Sequence, residues 1–331
     1  MKFGTILAAS AALAFTAPAQ AQLLAGETEV DIAAIPGVIS GDAEWTRAWQ
    51  GPMTADGMSV TPAGELLFAQ EQSNAIWKMF ENGEVFVEWP YITGAGAVSV
   101  AADGSVVAVE RGCTDGGLGG IGNETTCSIP SRVVQLAPEY RIIADSFSNG
   151  STLGRLNDVL SDGRGGAWFT QGALYHVDAA GNVTTTATVE RFTNGVALSP
   201  DGKTLYVTDM QTIHALDVTD DGAAVNKRVF ATLSETQGFG GDGMAVDSEG
   251  RLYITGDAGV WVFAPDGTEL GVIPVPRRSI TLAFGGPDRK TLFVGAMGAV
   301  DPEGTLWQTP EGVRNVAMTI YKVETIASGP H

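Results

Sequence analysis

Asp56, Asn157, Asn194 and Asp242 share a setting that points to chemistry. Each opens a short apolar run, and the glycine of a tight turn follows eight positions later, at Gly64, Gly165, Gly202 and Gly250. Two carboxylates and two side-chain amides make an all-oxygen donor set. Such a set suits one hard divalent cation, Ca²⁺ first and Mg²⁺, Mn²⁺ or Zn²⁺ after it, and offers nothing that would select copper or a thiolate-bound zinc. Asp242 is also the candidate catalytic base or nucleophile, because a carboxylate touching both ion and water can take the water's proton. Arg155, two residues before Asn157, carries a planar fork able to clamp a hydroxyl or a developing negative charge, or to make an ordinary ion pair. Asp-Gly and Asn-Gly are also favoured turn dipeptides, but in these segments the turn is already made eight residues on.

These residues need elements that bring them together from positions far apart in the chain. The same unit returns six times, with Gly96 and Ile280 opening the two remaining copies, at a spacing of about 40 to 60 residues. Units of this size built from strands cannot bury their faces alone and must stack on one another. The pattern therefore predicts an all-β, six-bladed β-propeller of four-stranded blades around a central channel, with the opening residues lining one mouth. Blades two and six carry insertions, a cysteine-containing loop after Glu110 and a second loop at about residues 296–313. Blade six lacks a fourth strand, so a segment before Asp56, either 44–49 or 28–33, is expected to close the ring rather than leave an edge unpaired.

Net charge is −19, which repels a phosphate backbone and argues against nucleic-acid binding. Residues 1–21 read as a signal peptide: a lysine, an apolar run, then Ala19-Gln20-Ala21 as a cleavage site. Gln22 is the expected mature start, followed by an N-terminal segment at 22–44 and the propeller at 45–331. The expected location is exported, periplasmic or secreted. No later segment reaches the roughly 20 apolar residues of a membrane span, so no membrane association is expected after signal removal, and a monomer is the expected state. Cys113 and Cys127, the only cysteines, are expected to pair in an oxidising compartment, because a metal site there would need further soft ligands. His176, His214 and His331 are read as structural, and Asp158 and Asp209 as turn caps sooner than as carboxylates supporting the metal ligands. No nucleophile elbow, Walker-type or dinucleotide motif is present.

The stretches GRLNDVLSDGRGGAWFT, TNGVALSPDGKTLYVTD and GDGMAVDSEGRLYITGDAGVWVFAPDG resemble the gluconolactonase / senescence marker protein (regucalcin) family of six-bladed, metal-dependent lactone hydrolases. The likeness runs from about Asp56 to Val323. It implies metal binding at Asn194 and Asp242, and a substrate- or metal-holding role for Arg155 and Asn157. One departure stands out. The family opens its first blade with glutamate in an E-G-P context, whereas this chain has Asp56-Gly57-Met58, one methylene shorter. The resemblance implies hydrolysis of a small, sugar-derived lactone. A metal-dependent phosphotriesterase or arylesterase, and a non-catalytic ligand- or protein-binding propeller stiffened by a structural cation, stand as alternatives.

Overall fold

A computed structural model of the chain describes residues 22–115, 124–189, 191–234, 240–309, 312–313 and 316–330. Residues 1–21, expected to be a signal peptide, and His331 lie outside these residues. All regular structure among them is β, in six four-stranded antiparallel sheets and two small hairpins. The six sheets are the six blades. Their innermost strands are Asp56–Val60, Ala95–Val100, Val159–Ser161, Thr193–Leu198, Met244–Val246 and Ser279–Gly285.

Strand alternation explains how flat sheets close into a ring. Successive side chains of a strand point to opposite faces, so each blade offers one apolar face to each neighbour. In blade four Val196, Leu205 and Val207 join Trp168 and Leu174 of blade three. Ala197, Tyr206 and Ile213, one position out of phase, join Leu252, Ile254 and Trp261 of blade five. Every blade boundary has such a cluster, including the one where blade six meets blade one through Ile280, Ile320, Leu66 and Phe68. The core is thus six inter-blade seams rather than one centre, and polar side chains gather at one mouth of the channel they leave open.

The ring is closed by the N-terminal side of the chain. Thr46–Gly51 pairs antiparallel with Met318–Glu324 as the outer strand of blade six, so the expected closing strand is found, displaced by two residues from 44–49. Residues 22–45 run on as a strap over blades five and six. Ile32, Ile35, Val38 and Ile39 are buried in the seam between them. Glu27, its side chain almost fully buried, receives hydrogen bonds from Arg47 Nε (2.8 Å) and Tyr321 Oη (2.6 Å).

Both insertions rise on the face that carries the opening residues, because each joins the second strand of its blade to the third. In blade two, Cys113–Asp115 pairs with Glu124–Cys127, with Cys113 opposite Cys127 and the two joined as a disulfide. In blade six, Gln308–Thr309 pairs with Gly312–Val313. Among the described residues no helix is long and apolar enough to cross a membrane.

Candidate metal and substrate site

A β-bulge at the start of each innermost strand positions the opening residues. In blades two, four and six the ladder register slips across Gly96, Asn194 and Ile280 respectively, and in blade one it slips just after Asp56. In blade three Thr170 bonds both partners of a two-against-one pair: Asn157 N–H donates to its carbonyl (2.9 Å) and its own N–H donates to Asp158 O (3.1 Å). In blade five Thr255 does the same with Asp242 and Gly243, each bond 3.0 Å. A bulge bends its strand and re-aims a side chain, which turns six strand starts inward at one level.

The glycines that follow three of these residues have a different purpose from turn formation. A Cβ at Gly57 would lie 2.2 Å from Ala97 Cα, at Gly195 2.1 Å from Asp242 O, and at Gly243 2.8 Å from Thr281 Cα. In each case the obstacle is backbone of the next blade or beyond. Asp-Gly and Asn-Gly recur here because the innermost strands converge too closely for a side chain, and only the residue before the glycine keeps one.

The result is a small cavity of about 30 Å³ at the channel mouth, bordered by Asp56, Asn157, Asp158, Asn194 and Asp242. A space of that size holds an ion or a water or two. All four sequence-derived metal residues are therefore brought together. Asp158 borders the same cavity, nearer the supporting carboxylate than the turn cap of its two expected roles: its carboxylate accepts N–H bonds from Val159 (2.8 Å) and Val196 (3.0 Å). It also borders a wider cavity of about 440 Å³ that continues down the channel.

Three carboxylates crowd this space. Burial raises the Asp242 carboxyl well above its ordinary value, and the charges of Asp56 and Asp158 raise it further. Asp158 is pushed up to about 7 by burial, against the pull of its two N–H donors. Asp56 is raised by burial too, partly offset by the Arg111 guanidinium. Clustered, desolvated carboxylates of this kind are costly unless a positive charge joins them. Among the described residues no three His, Cys, Asp or Glu side chains form a metal cage by themselves, so the amide oxygens of Asn157 and Asn194 are needed to complete an oxygen donor set. With them, the residues fit a hard divalent cation.

Beside the ring stands an ion-pair network. Glu71, in the turn after the second strand of blade one, accepts from Arg111 Nη1 (2.6 Å) and from both terminal nitrogens of Arg155 (3.2 and 2.9 Å). It also accepts the Asp115 N–H (2.8 Å). Two guanidinium groups outweigh burial and hold the Glu71 carboxyl below its usual range. Arg155 thus makes the ion pair, one of its two expected roles, bidentate so that its orientation is fixed, and it stands outside the lining of the ring cavity. Arg111, Arg155, Cys113, Ile129, Pro130 and Leu153 line a third cavity of about 400 Å³ on the rim. Glu71 and Arg111 had no signal in the repeat pattern.

The two described histidines stand outside the lining of the ring cavity. His176 pairs with Asp162 (2.9 Å), His214 lies 3.5 Å from Asp209, and Asp209 accepts the N–H groups of Arg191 and Phe192 (3.0 Å each).

Fold and site together define a six-bladed propeller with a polar, carboxylate-rich channel mouth. The chain belongs to the SMP-30/gluconolactonase/LRE-like family, whose profile matches residues 88–298. The pentonolactonase XacC of Haloferax volcanii is 32% identical over 188 residues, covering 53% of this chain and 64% of that protein, less than two thirds of its length. A gluconolactonase structure from Xanthomonas campestris superposes with a TM-score of 0.66 at 21% identity, over 89% of this chain and 94% of that one. A structure of regucalcin from Agrobacterium tumefaciens, described as a calcium-binding protein, gives 0.61 at 19% identity, over 87% and 95%. At these identities the two structures speak for the fold alone.

Proposed function

We propose that this protein is a metal-dependent hydrolase of small, sugar-derived lactones, acting in an exported location. The observation that carries the reading is the convergence of Asp56, Asp158 and Asp242 with Asn157 and Asn194 on one ion-sized cavity, in a chain of a family whose curated relatives include named lactonases. Asp56, Asn157, Asn194 and Asp242 would hold the cation, Ca²⁺ by preference. When bound, it would supply Lewis-acid polarisation of the lactone carbonyl.

The protein's own groups supply the rest. Asp242 borders the ring cavity, and there it takes the proton of the attacking water and returns it to the departing alkoxide. Arg155, locked by Glu71, orients the substrate's hydroxyl groups, so that little side-chain freedom is lost on binding. The disulfide of the rim hairpin suits an oxidising compartment, which supports export.

The test is a lactone panel assayed by acid release after chelation and after addition of Ca²⁺, Mg²⁺, Mn²⁺ or Zn²⁺. Restored turnover by one of these ions supports the reading. A folded protein that opens no lactone with any of them rules it out.

A further inference from the structure

We propose that Arg111 takes the blade-two place in the ring, and that its Nη2 binds the lactone carbonyl oxygen as negative charge develops on it, a role resting on the hydrolase reading above. Blade two opens with Gly96, so its position contributes no side chain. The slot is filled from elsewhere. A Cβ at Gly96 would stand 2.6 Å from Arg111 Nε, 2.7 Å from its Cζ and 3.0 Å from its Nη2, so the guanidinium lies where a ring side chain would be.

The side chain is built into that place. Arg111 is 5% exposed, its Nε donates to Leu156 O (2.9 Å), and its Nη1 donates to Glu71 (2.6 Å). Its backbone carbonyl accepts from Ser131 Oγ (2.7 Å). Two of its three nitrogens are thereby committed to blades three and one. Nη2 has no protein partner among the described residues, and it is not sealed away from solvent space. A buried guanidinium with one unspent donor at a cavity edge is poised for an acceptor that arrives with the ligand.

Its position divides two spaces. Gly96 borders the ring cavity and Arg111 borders the rim cavity, so Nη2 lies where a substrate entering from the rim would present its reacting carbonyl. The charge count agrees. Three ring carboxylates, one divalent cation and one guanidinium sum to zero, leaving a neutral site for a neutral lactone. In the reaction the water oxygen forms a bond to the carbonyl carbon, and the carbonyl pair moves onto the oxygen facing Nη2. Collapse breaks the ring C–O bond, and the proton held by Asp242 goes to the released alkoxide.

Arg111→Ala and Arg111→Lys are compared with wild type, all loaded with Ca²⁺. Removing one oxyanion donor lowers kcat by about 100- to 1,000-fold, and the alanine variant is expected to show such a loss with KM changed less than threefold. Added methylguanidinium is expected to restore part of kcat in the alanine variant only, and the lysine variant, lacking the fork, to stay at least tenfold impaired. Full activity in the lysine variant, or no response of the folded alanine variant to methylguanidinium, overturns the proposal. If wild type opens no lactone, the hydrolase reading fails separately, and calorimetry with sodium gluconate, a hydroxycarboxylate product, tests the Arg111 place. Gluconate binding to the Ca²⁺-loaded protein that disappears in Arg111→Ala supports it, and binding unaffected by the substitution overturns it.

Discussion

At the scale of single residues, the glycines after the ring are as constrained as the ring itself. Gly195 has ordinary backbone angles, so alanine is permitted there by conformation and excluded only by the Asp242 carbonyl 2.1 Å from its Cβ. Gly195→Ala is expected to cost about 1–3 kcal/mol, the usual range for overpacking, and to weaken Ca²⁺ binding by displacing Asp242. Thermal melts and Ca²⁺ titration calorimetry on the variant check both, and an unperturbed variant would return the glycine to a turn-only role. Asp242→Asn is expected to lower kcat by more than 100-fold, since the amide cannot accept the water's proton. Steady-state kinetics at saturating Ca²⁺ measures it. The four donors were legible because each opens the same repeated unit. Asp158 was legible only as a turn cap or a supporting carboxylate, because it sits inside a bulge where the alternation that assigns a residue to a face breaks down. Arg111 was invisible for another reason: it lies 15 residues after the slot it fills, at the far end of a hairpin, and only the folded blade brings them together.

At the scale of elements, the N-terminal strap and closing strand decide whether the ring stays shut. Glu27 ties them to blade six through Arg47 and Tyr321. Burial pushes its carboxyl up, but the bonds from Arg47, the Leu24 N–H and Tyr321 outweigh it and hold it at about 2, against an ordinary 4.5. A folded pKa below the unfolded one means that its contribution is complete above about pH 4.5 and drains away as the pH falls toward 2. Glu27→Gln is expected to cost about 3 kcal/mol at pH 7, because it strands the Arg47 charge, and to lose less additional stability than wild type between pH 4.5 and 2. Denaturant melts across that window decide it. The need for a closing strand was readable from the missing fourth strand of blade six, but its register was not, since a bulge between Arg47 and Trp49 shifts the pairing.

At the scale of the whole molecule, the propeller separates stability from chemistry. Six apolar seams hold the blades, while the channel mouth concentrates three carboxylates that the seams must tolerate. The two insertions sit on the mouth side, where they shape what enters. Cys113 lines the rim cavity, and replacing Cys113 and Cys127 by serine is expected to raise KM for a lactone severalfold while leaving Ca²⁺ affinity within twofold. Kinetics and calorimetry on one preparation separate the two effects. Six-fold repetition made the architecture legible early, because a fold set by repeated seams is written in every blade. The rim was not, because insertions interrupt the repeat that carried the reading.

The central claim is that the convergent oxygen donors at the channel mouth bind the ion on which lactone opening depends. Asn194→Ala tests it most directly, since it removes one amide and adds no charge. Lactone hydrolysis by chelator-treated wild type is predicted to return on Ca²⁺ addition, and the same Ca²⁺ is predicted to restore under 1% of that rate, about 3 kcal/mol in the barrier, in a folded Asn194→Ala. Equal Ca²⁺-restored rates in the two proteins would contradict the account.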